Sequence, residues 1–209
     1  MKNFIFYNLF YTLRLVVPLI ILIILGCIYN YKTLIIISII GLLFLMFFFR
    51  NNLTLEKLEK NNNLFLSPSS SKVMKVYATN RFNVIYTYLS LYDKHFMIAP
   101  TDCVVKDIVD LNTPNDVERK RIIFLDKYNN EFYLDQIVTK YGFGGYLYKF
   151  FYKNRCVVFC KKGDKLKQGD RYGLIRFGSN MEYFLPKSYQ ILVNKNEKKE
   201  IGNVICKVN

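Results

Sequence analysis

Two apolar runs with three residues between them constrain this chain more than any other feature. LVVPLIILIILGCIY (Leu15–Tyr29) and TLIIISIIGLLFLMFFF (Thr33–Phe49) carry no charge, and only Asn30, Tyr31 and Lys32 separate them. Each approaches the roughly 20 residues that cross a bilayer as a helix. The sequence therefore predicts a transmembrane helical hairpin, with spans at about residues 15–29 and 33–49 inside a segment 1–52. Arg14 and Arg50 flank its outer ends and Lys57 and Lys60 follow, against the single Lys32 at the turn. By the positive-inside rule the rest of the chain, 53–209, faces the cytoplasm as part of an integral membrane protein. A second span that follows at once, and no small-x-small site before it, speak against a cleaved signal peptide.

Composition narrows the partners. The 209 residues hold 30 Lys and Arg against 16 Asp and Glu, a net charge of +14. Such a balance suits nucleic acid, an anionic membrane surface or acidic substrates. Beside a membrane hairpin it points to the anionic membrane surface, and nucleic acid is not expected as a partner. Five cysteines (Cys27, Cys103, Cys156, Cys160, Cys206) form no disulfide framework and suit a reducing compartment. With one histidine in the chain, Cys156 and Cys160 read as apolar filler, and no metal site is expected.

From Asn51 to Asn63 the chain is polar and reads as a linker or short surface helix. Beyond it, short runs rich in Val, Ile, Tyr and Phe alternate with Gly, Pro, Asn and Asp: KVMKVYA, RFNVIYTYLSLY, CVVKDIV, RIIFLD, EFYLDQIV, RCVVFC, YGLIRF, MEYFLP and QILVN. That spacing predicts a mainly β domain of sandwich or barrel type. CVVFCKKGDKLKQGDRYGLI (Cys156–Ile175) reads as a hairpin with turns at Gly163-Asp164 and Gly169-Asp170, similar to the hammerhead hairpins of lipoyl-type domains.

Among candidate site residues, His95 is the single histidine, set in SLYDKHFMIAP with Asp93 before it and Asp102 after it. A histidine is the usual general base near neutral pH, and a satisfied core or surface histidine reads equally well at this point. GFGG (Gly142–Gly145) reads as a loop or hairpin rather than a phosphate cradle, and SPSSS (Ser67–Ser71) as a loop. In RFGSNMEYFLP, Gly178-Ser179-Asn180 reads as a hairpin turn between two strands.

Four blocks, taken in order, resemble the phosphatidylserine decarboxylase proenzymes in their small, membrane-anchored form. FFFRNN leaves the apolar hairpin as the family's Phe-Phe-Arg-Asp-Pro does, with Asn51-Asn52 in place of Asp-Pro. FLSPSSSKVMKV resembles Ser-Pro-Ala-Asp-Gly-Lys-Val, and SLYDKHFMIAPTDCVV resembles Ser-x-x-Asp-x-His-x-x-x-x-Pro-x-x-Gly-x-Val, with His95 on the catalytic histidine. GDKLKQGDRYGLIRFGSNMEYFLP resembles the block that ends in the Phe-Gly-Ser self-cleavage site.

The resemblance implies cleavage between Gly178 and Ser179, with His95 taking the serine proton. Ser179 is then left as a covalent pyruvoyl group, the cofactor. Its ketone condenses with the substrate amine and takes the electron pair released with CO₂, turning phosphatidylserine into phosphatidylethanolamine. The resemblance further implies a phospholipid substrate, processed α and β chains that stay associated, and scope for a homo-oligomer. The family orients its histidine with the Asp of Ser-Pro-Ala-Asp-Gly, and this position is Ser70 here. Asp102 and Asp93 are the candidate substitutes. The alternative is a catalytically impaired homologue that binds anionic lipid or protein at the membrane.

Overall fold

Helix α1 (Lys2–Ile28) and helix α2 (Lys32–Phe48) form a helical hairpin. The computed structural model describes residues 2–48, 61, 63–90, 92–111, 118–138, 155–175 and 179–208. α1 closes in a Schellman motif: the Tyr31 amide donates to the Gly26 carbonyl at 2.8 Å and the Asn30 amide to the Cys27 carbonyl at 3.4 Å. Asn30 takes the left-handed φ of 61° that this cap needs. A Cβ on Gly26 would fall 2.7 Å from Ile35 Cγ1, and one on Gly41 3.2 Å from Leu19, so small residues let the two helices approach. The outward surface is apolar, with Ile28, Ile37, Leu43 and Met46 exposed and Ser38 buried.

The transmembrane expectation needs correction. Among the described residues no helix is long and apolar enough to cross a membrane.

The chain divides into two compact units, Met1–Asn52 and Leu53–Asn209. Among its described residues the second is built of strands: β1 (Leu64–Leu66), β2 (Ser71–Ala78), β3 (Phe82–Leu89), β4 (Phe96–Ile98), β5 (Cys103–Asp110), β6 (Glu118–Asp126) and β7 (Glu131–Val138), then β8 (Cys156–Val158), β9 (Lys165–Leu166), β10 (Arg171–Ile175), β11 (Ser179–Pro186), β12 (Gln190–Ile191), β13 (Lys198–Lys199) and β14 (Val204–Lys207). Eight of them form one antiparallel sheet in the order β13-β2-β3-β11-β7-β6-β5-β9. Two three-stranded sheets, β4-β10-β8 and β1-β14-β12, complete the unit. The mainly β reading stands. β11 alternates as a half-buried strand does: Met181, Tyr183 and Leu185 are buried, while Glu182 and Phe184 on the other face are partly exposed.

One core joins the three sheets, with Phe65 and Cys206 from the second small sheet, Met97, Cys156 and Tyr172 from the first, and Ile85, Phe124, Phe132, Leu134 and Tyr183 from the large one. Gly173 on β10 allows the closest approach. A Cβ there would meet Gln136 Nε2 at 2.5 Å and the Val157 carbonyl oxygen at 2.8 Å. The Cys156–Ile175 hairpin is present: β8 pairs with β10, as Val158 opposite Gly173, and Gly163 and Gly169 take φ of 89° and 90°. Asp164 and Asp170 close the turns by accepting the Lys161 and Lys167 amides. The predicted linker (51–60 and 62) and the GFGG loop lie outside the described residues.

The hairpin reading of RFGSNMEYFLP is corrected. Ser179 and Asn180 already belong to β11, and β10 and β11 belong to different sheets. The chain crosses here from the small sheet to the centre of the large one, so local turn preference is overridden by where the two strands find partners.

Candidate functional site

The crossover between β10 and β11 is bracketed by the segment that carries His95. Ser179 opens β11 opposite Leu89, the last residue of β3. On the other side of the crossover, the Ile175 amide at the end of β10 donates to the His95 carbonyl at 3.0 Å. Leu89 thus lies beside Ser179, and His95 beside Ile175, on the two described flanks of residues 176–178. Gly178 lies outside the described residues, and Ser179 is described by its backbone. Ser179 is also paired with Val138 of β7, so it heads a strand held on both sides.

His95 is 1% exposed, and its Nδ1 lies 2.8 Å from the Asp93 carbonyl oxygen. A carbonyl can only accept, so this bond requires the proton on Nδ1 and leaves Nε2 as the basic nitrogen of the neutral ring. The tautomer a general base needs is thus set by a backbone group. The Asp93 carboxylate, 5% exposed, serves the loop itself: Oδ2 accepts from the Ser90 amide at 2.8 Å and from Ser90 Oγ at 2.9 Å. Its Oδ1 lies 3.1 Å from Lys198 Nζ. Asp102, the other candidate, accepts the Gln168 amide at 2.7 Å and so fastens the turn before β10.

SPSSS is a buried polar loop that runs into β2 at Ser71. Ser67, Ser69, Ser70 and Ser71 are all at most 1% exposed. Ser67 Oγ donates to the Ser69 carbonyl at 2.8 Å, and Ser69 Oγ lies 2.8 Å from Tyr183 Oη on β11. The loop is tied to the His95 strand, since the Ile98 amide donates to the Pro68 carbonyl at 3.0 Å. It is tied to the C-terminal segment too, through the Ser67 amide on the Asn203 carbonyl and the Gly202 amide on the Ser67 carbonyl. Ser70 donates to Glu200 Oε2 at 2.8 Å and accepts the Ile201 amide at 3.1 Å. Glu200 and Lys198 escape a sequence reading because they lie more than 100 residues from the residues they touch; a charged pair near a C-terminus carries no local signal.

All five cysteines are free thiols. Burial pushes Cys160 up to about 12 and raises Cys103, Cys156 and Cys206 as well, so none of these four is a thiolate nucleophile near neutral pH. A groove lined by Lys75, Tyr77, Tyr86, Glu182 and Lys195 opens on the outer face of β11. None of the predicted site residues lines it.

Comparison with known proteins agrees with the block pattern. The phosphatidylserine decarboxylase family profile matches residues 42–207. The chain is 31% identical over 123 residues to a protein of Methanothermobacter thermautotrophicus provisionally named an archaetidylserine decarboxylase proenzyme; the match covers 58% of this chain and 53% of that protein. The chain thus spans about half of that relative's length. It is 25% identical over 188 residues to a phosphatidylserine decarboxylase proenzyme of Beijerinckia indica, across 81% of this chain and 75% of the relative. A proenzyme of the same name from Cytophaga hutchinsonii is 25% identical over 191 residues, 83% of this chain and 81% of the relative. No solved structure matches the chain.

Proposed function

This chain belongs to the phosphatidylserine decarboxylase family, and from that premise we propose that it is a self-cleaving proenzyme that decarboxylates a serine phospholipid to its ethanolamine counterpart. The observation that carries the reading is the bracketing of residues 176–178 by the His95 segment, with Leu89 opposite Ser179 and His95 bonded to Ile175. His95 takes the Ser179 hydroxyl proton as the oxygen attacks the Gly178 carbonyl carbon. The peptide bond then becomes an ester as the acyl group moves from nitrogen to oxygen. Loss of the Ser179 α-proton expels the Gly178 carboxylate, and water converts the new N-terminus to a pyruvoyl group with release of ammonia. Glycine before the serine leaves the carbonyl open to attack.

The residues present suit that group: it would head β11, between β3 and β7, on the segment bracketed by the His95 loop. Once formed, it supplies the electron sink that decarboxylation needs. His95, neutral and protonated on Nδ1, is the group that holds or delivers the proton for the substrate carbon. The processed chains stay together because β11 pairs with β3 and β7 on both sides, and such a strand leaves only if the sheet opens.

The helical hairpin is read as a membrane attachment, its apolar surface set against lipid. Its exposed residues include Ile24, Ile28, Ile37, Ile40, Leu43 and Met46, a surface that water disfavours. The chain's net charge of +14 favours an anionic membrane surface, and the cytoplasmic face is the side proposed for the β unit.

Intact-mass measurement tests the reading. Cleavage yields a C-terminal chain from Ser179 to Asn209 with a blocked N-terminus, and Ser179→Ala stays at 24.8 kDa. A wild-type chain that remains at full mass after long incubation in lipid overturns it.

A further inference from the structure

A polar path leads from the C-terminal segment to the His95 imidazole. Ser70 Oγ donates to Glu200 Oε2 at 2.8 Å. Glu200 Oε1 lies 4.0 Å from Lys198 Nζ, which lies 3.1 Å from Asp93 Oδ1. The Asp93 carbonyl then holds His95 Nδ1. We infer that Lys198 and Glu200 are positioning residues for His95, and that Glu200 supplies at Ser70 the carboxylate which the sequence there lacks. The inference rests on the proposed role of His95 as the base.

Burial decides the direction of control. Asp93 is 5% exposed, and a buried carboxylate is held in place by the charge that compensates it. Lys198 meets Oδ1 while Ser90 holds Oδ2, so losing Lys198 takes the counter-charge from the Ser90–Asp93 turn, and the carbonyl that fixes the imidazole tautomer belongs to that turn. Lys198 has a flexible stem and a side chain 59% exposed, so by itself it holds no single position. Glu200, its own side chain 56% exposed, attracts it from 4.0 Å and is itself tied to Ser70, which is 0% exposed. Lys198 also faces Lys72 across the β13–β2 pairing, and Glu200 offsets that juxtaposition of like charges. An exposed ion pair contributes little alone; here both of its ends are fastened to buried groups, which is how such a pair gains orienting value. After cleavage, Lys198 and Glu200 lie on one product chain and Asp93 and His95 on the other. The clamp then continues to hold the base during turnover.

Because His95 is the single histidine, its ring nitrogens give an unambiguous NMR signal from ¹⁵N-histidine-labelled full-length protein in detergent micelles. Ser179→Ala keeps the chain intact for the measurement, near pH 8 where the ring is neutral. The Nδ1-protonated tautomer is expected to dominate, and to give way to a mixture when Lys198→Met or Glu200→Gln is added, with the thermal melt unchanged. In the cleavable chain the same two substitutions should slow cleavage by about threefold to tenfold. Adding Ser70→Asp to Glu200→Gln should restore both tautomer and rate, since it returns a carboxylate to the same place; a packing role would not be rescued. Wild-type tautomer and rate in both variants overturn the inference, as does a lost tautomer that Ser70→Asp fails to restore. A wild-type chain that never cleaves, with tautomers shifted in the variants, defeats the self-cleavage reading and leaves the clamp standing.

Discussion

On the outer face of β11, Glu182 and the fully buried Asp135 share Arg119, and Asp135 also receives Arg121 at 2.7 and 2.8 Å. Arg121 lies over the rings of Tyr133 and Phe184, 5.0 and 4.6 Å from their centroids, and its hydrogen bond to Asp135 raises its pKa. On the other side of the same sheet, Tyr183 Oη meets Ser69 and Thr87, and near the head of β11 the Asp93 carbonyl holds His95 Nδ1. The outer cluster meets charge with opposite charge through redundant bonds, and its value is to the fold. The inner one buries the ring of the single histidine and sets its tautomer through a backbone carbonyl. That arrangement braces a sheet poorly and suits the base we propose.

Substitutions can break this contrast. The largest effect is expected from His95→Ala, which should slow self-cleavage by about 10²–10⁴-fold, the usual contribution of a positioned base, with little change in melting temperature. Intact-mass time courses and thermal melts on the same samples check both halves; a large drop in melting temperature would mean that His95 serves the fold as the outer cluster does. Asp135→Ala should do the reverse. It removes a common partner from two arginines whose side chains are 26% and 24% exposed, and after allowance for that exposure it should cost about 3 kcal/mol in denaturant unfolding.

Gly173→Ala sharpens the comparison between the sheets. With its Cβ 2.5 Å from Gln136 Nε2 and 2.8 Å from the Val157 carbonyl, it should cost about 2 kcal/mol as an overpacked contact. It should also disturb β10, whose end carries the bond to His95. Slowed cleavage along with lowered stability is the expected result. The smallest effect belongs to the surface pair Lys106–Glu131, in which hydrogen bonds from Lys106 and then Tyr133 hold the Glu131 carboxyl below its usual range. A lowered folded pKa contributes stability above the unfolded value, lost as pH falls through the folded one. Wild type and Lys106→Met should therefore differ slightly in melting temperature near neutral pH and converge in acid.

Much of the β unit was legible because burial on one face imposes period two on a strand. EFYLDQIV and MEYFLP declare β7 and β11 in this way, and Gly163-Asp164 and Gly169-Asp170 declare the turns of the Cys156–Ile175 excursion. Very short strands such as β4 and β13 carry too few residues to show a period, yet β4 follows His95 directly and β13 carries Lys198. The Gly178-Ser179-Asn180 triplet misled for a related reason. Gly and Asn favour turns locally, while the residues after Gly178 are claimed by two long neighbouring strands. The apolar hairpin was visible as composition; its length against a bilayer needed the helix ends to be known.

The sequence by itself determined that an apolar helical pair precedes a mainly β unit, and it singled out candidates for chemistry: the single histidine and the Gly-Ser junction stand out because residue identity needs no partner to be read. Tertiary structure decided who holds whom. The crossover is opposed by the His95 segment, Asp93 acts on the ring through its carbonyl, and Ser70 meets Glu200 from the far end of the chain. The Ser70–Glu200 bond joins residues 130 positions apart and Ser179 pairs with Leu89 in a distant strand, and contacts of that range are set by the shared core rather than by any local preference.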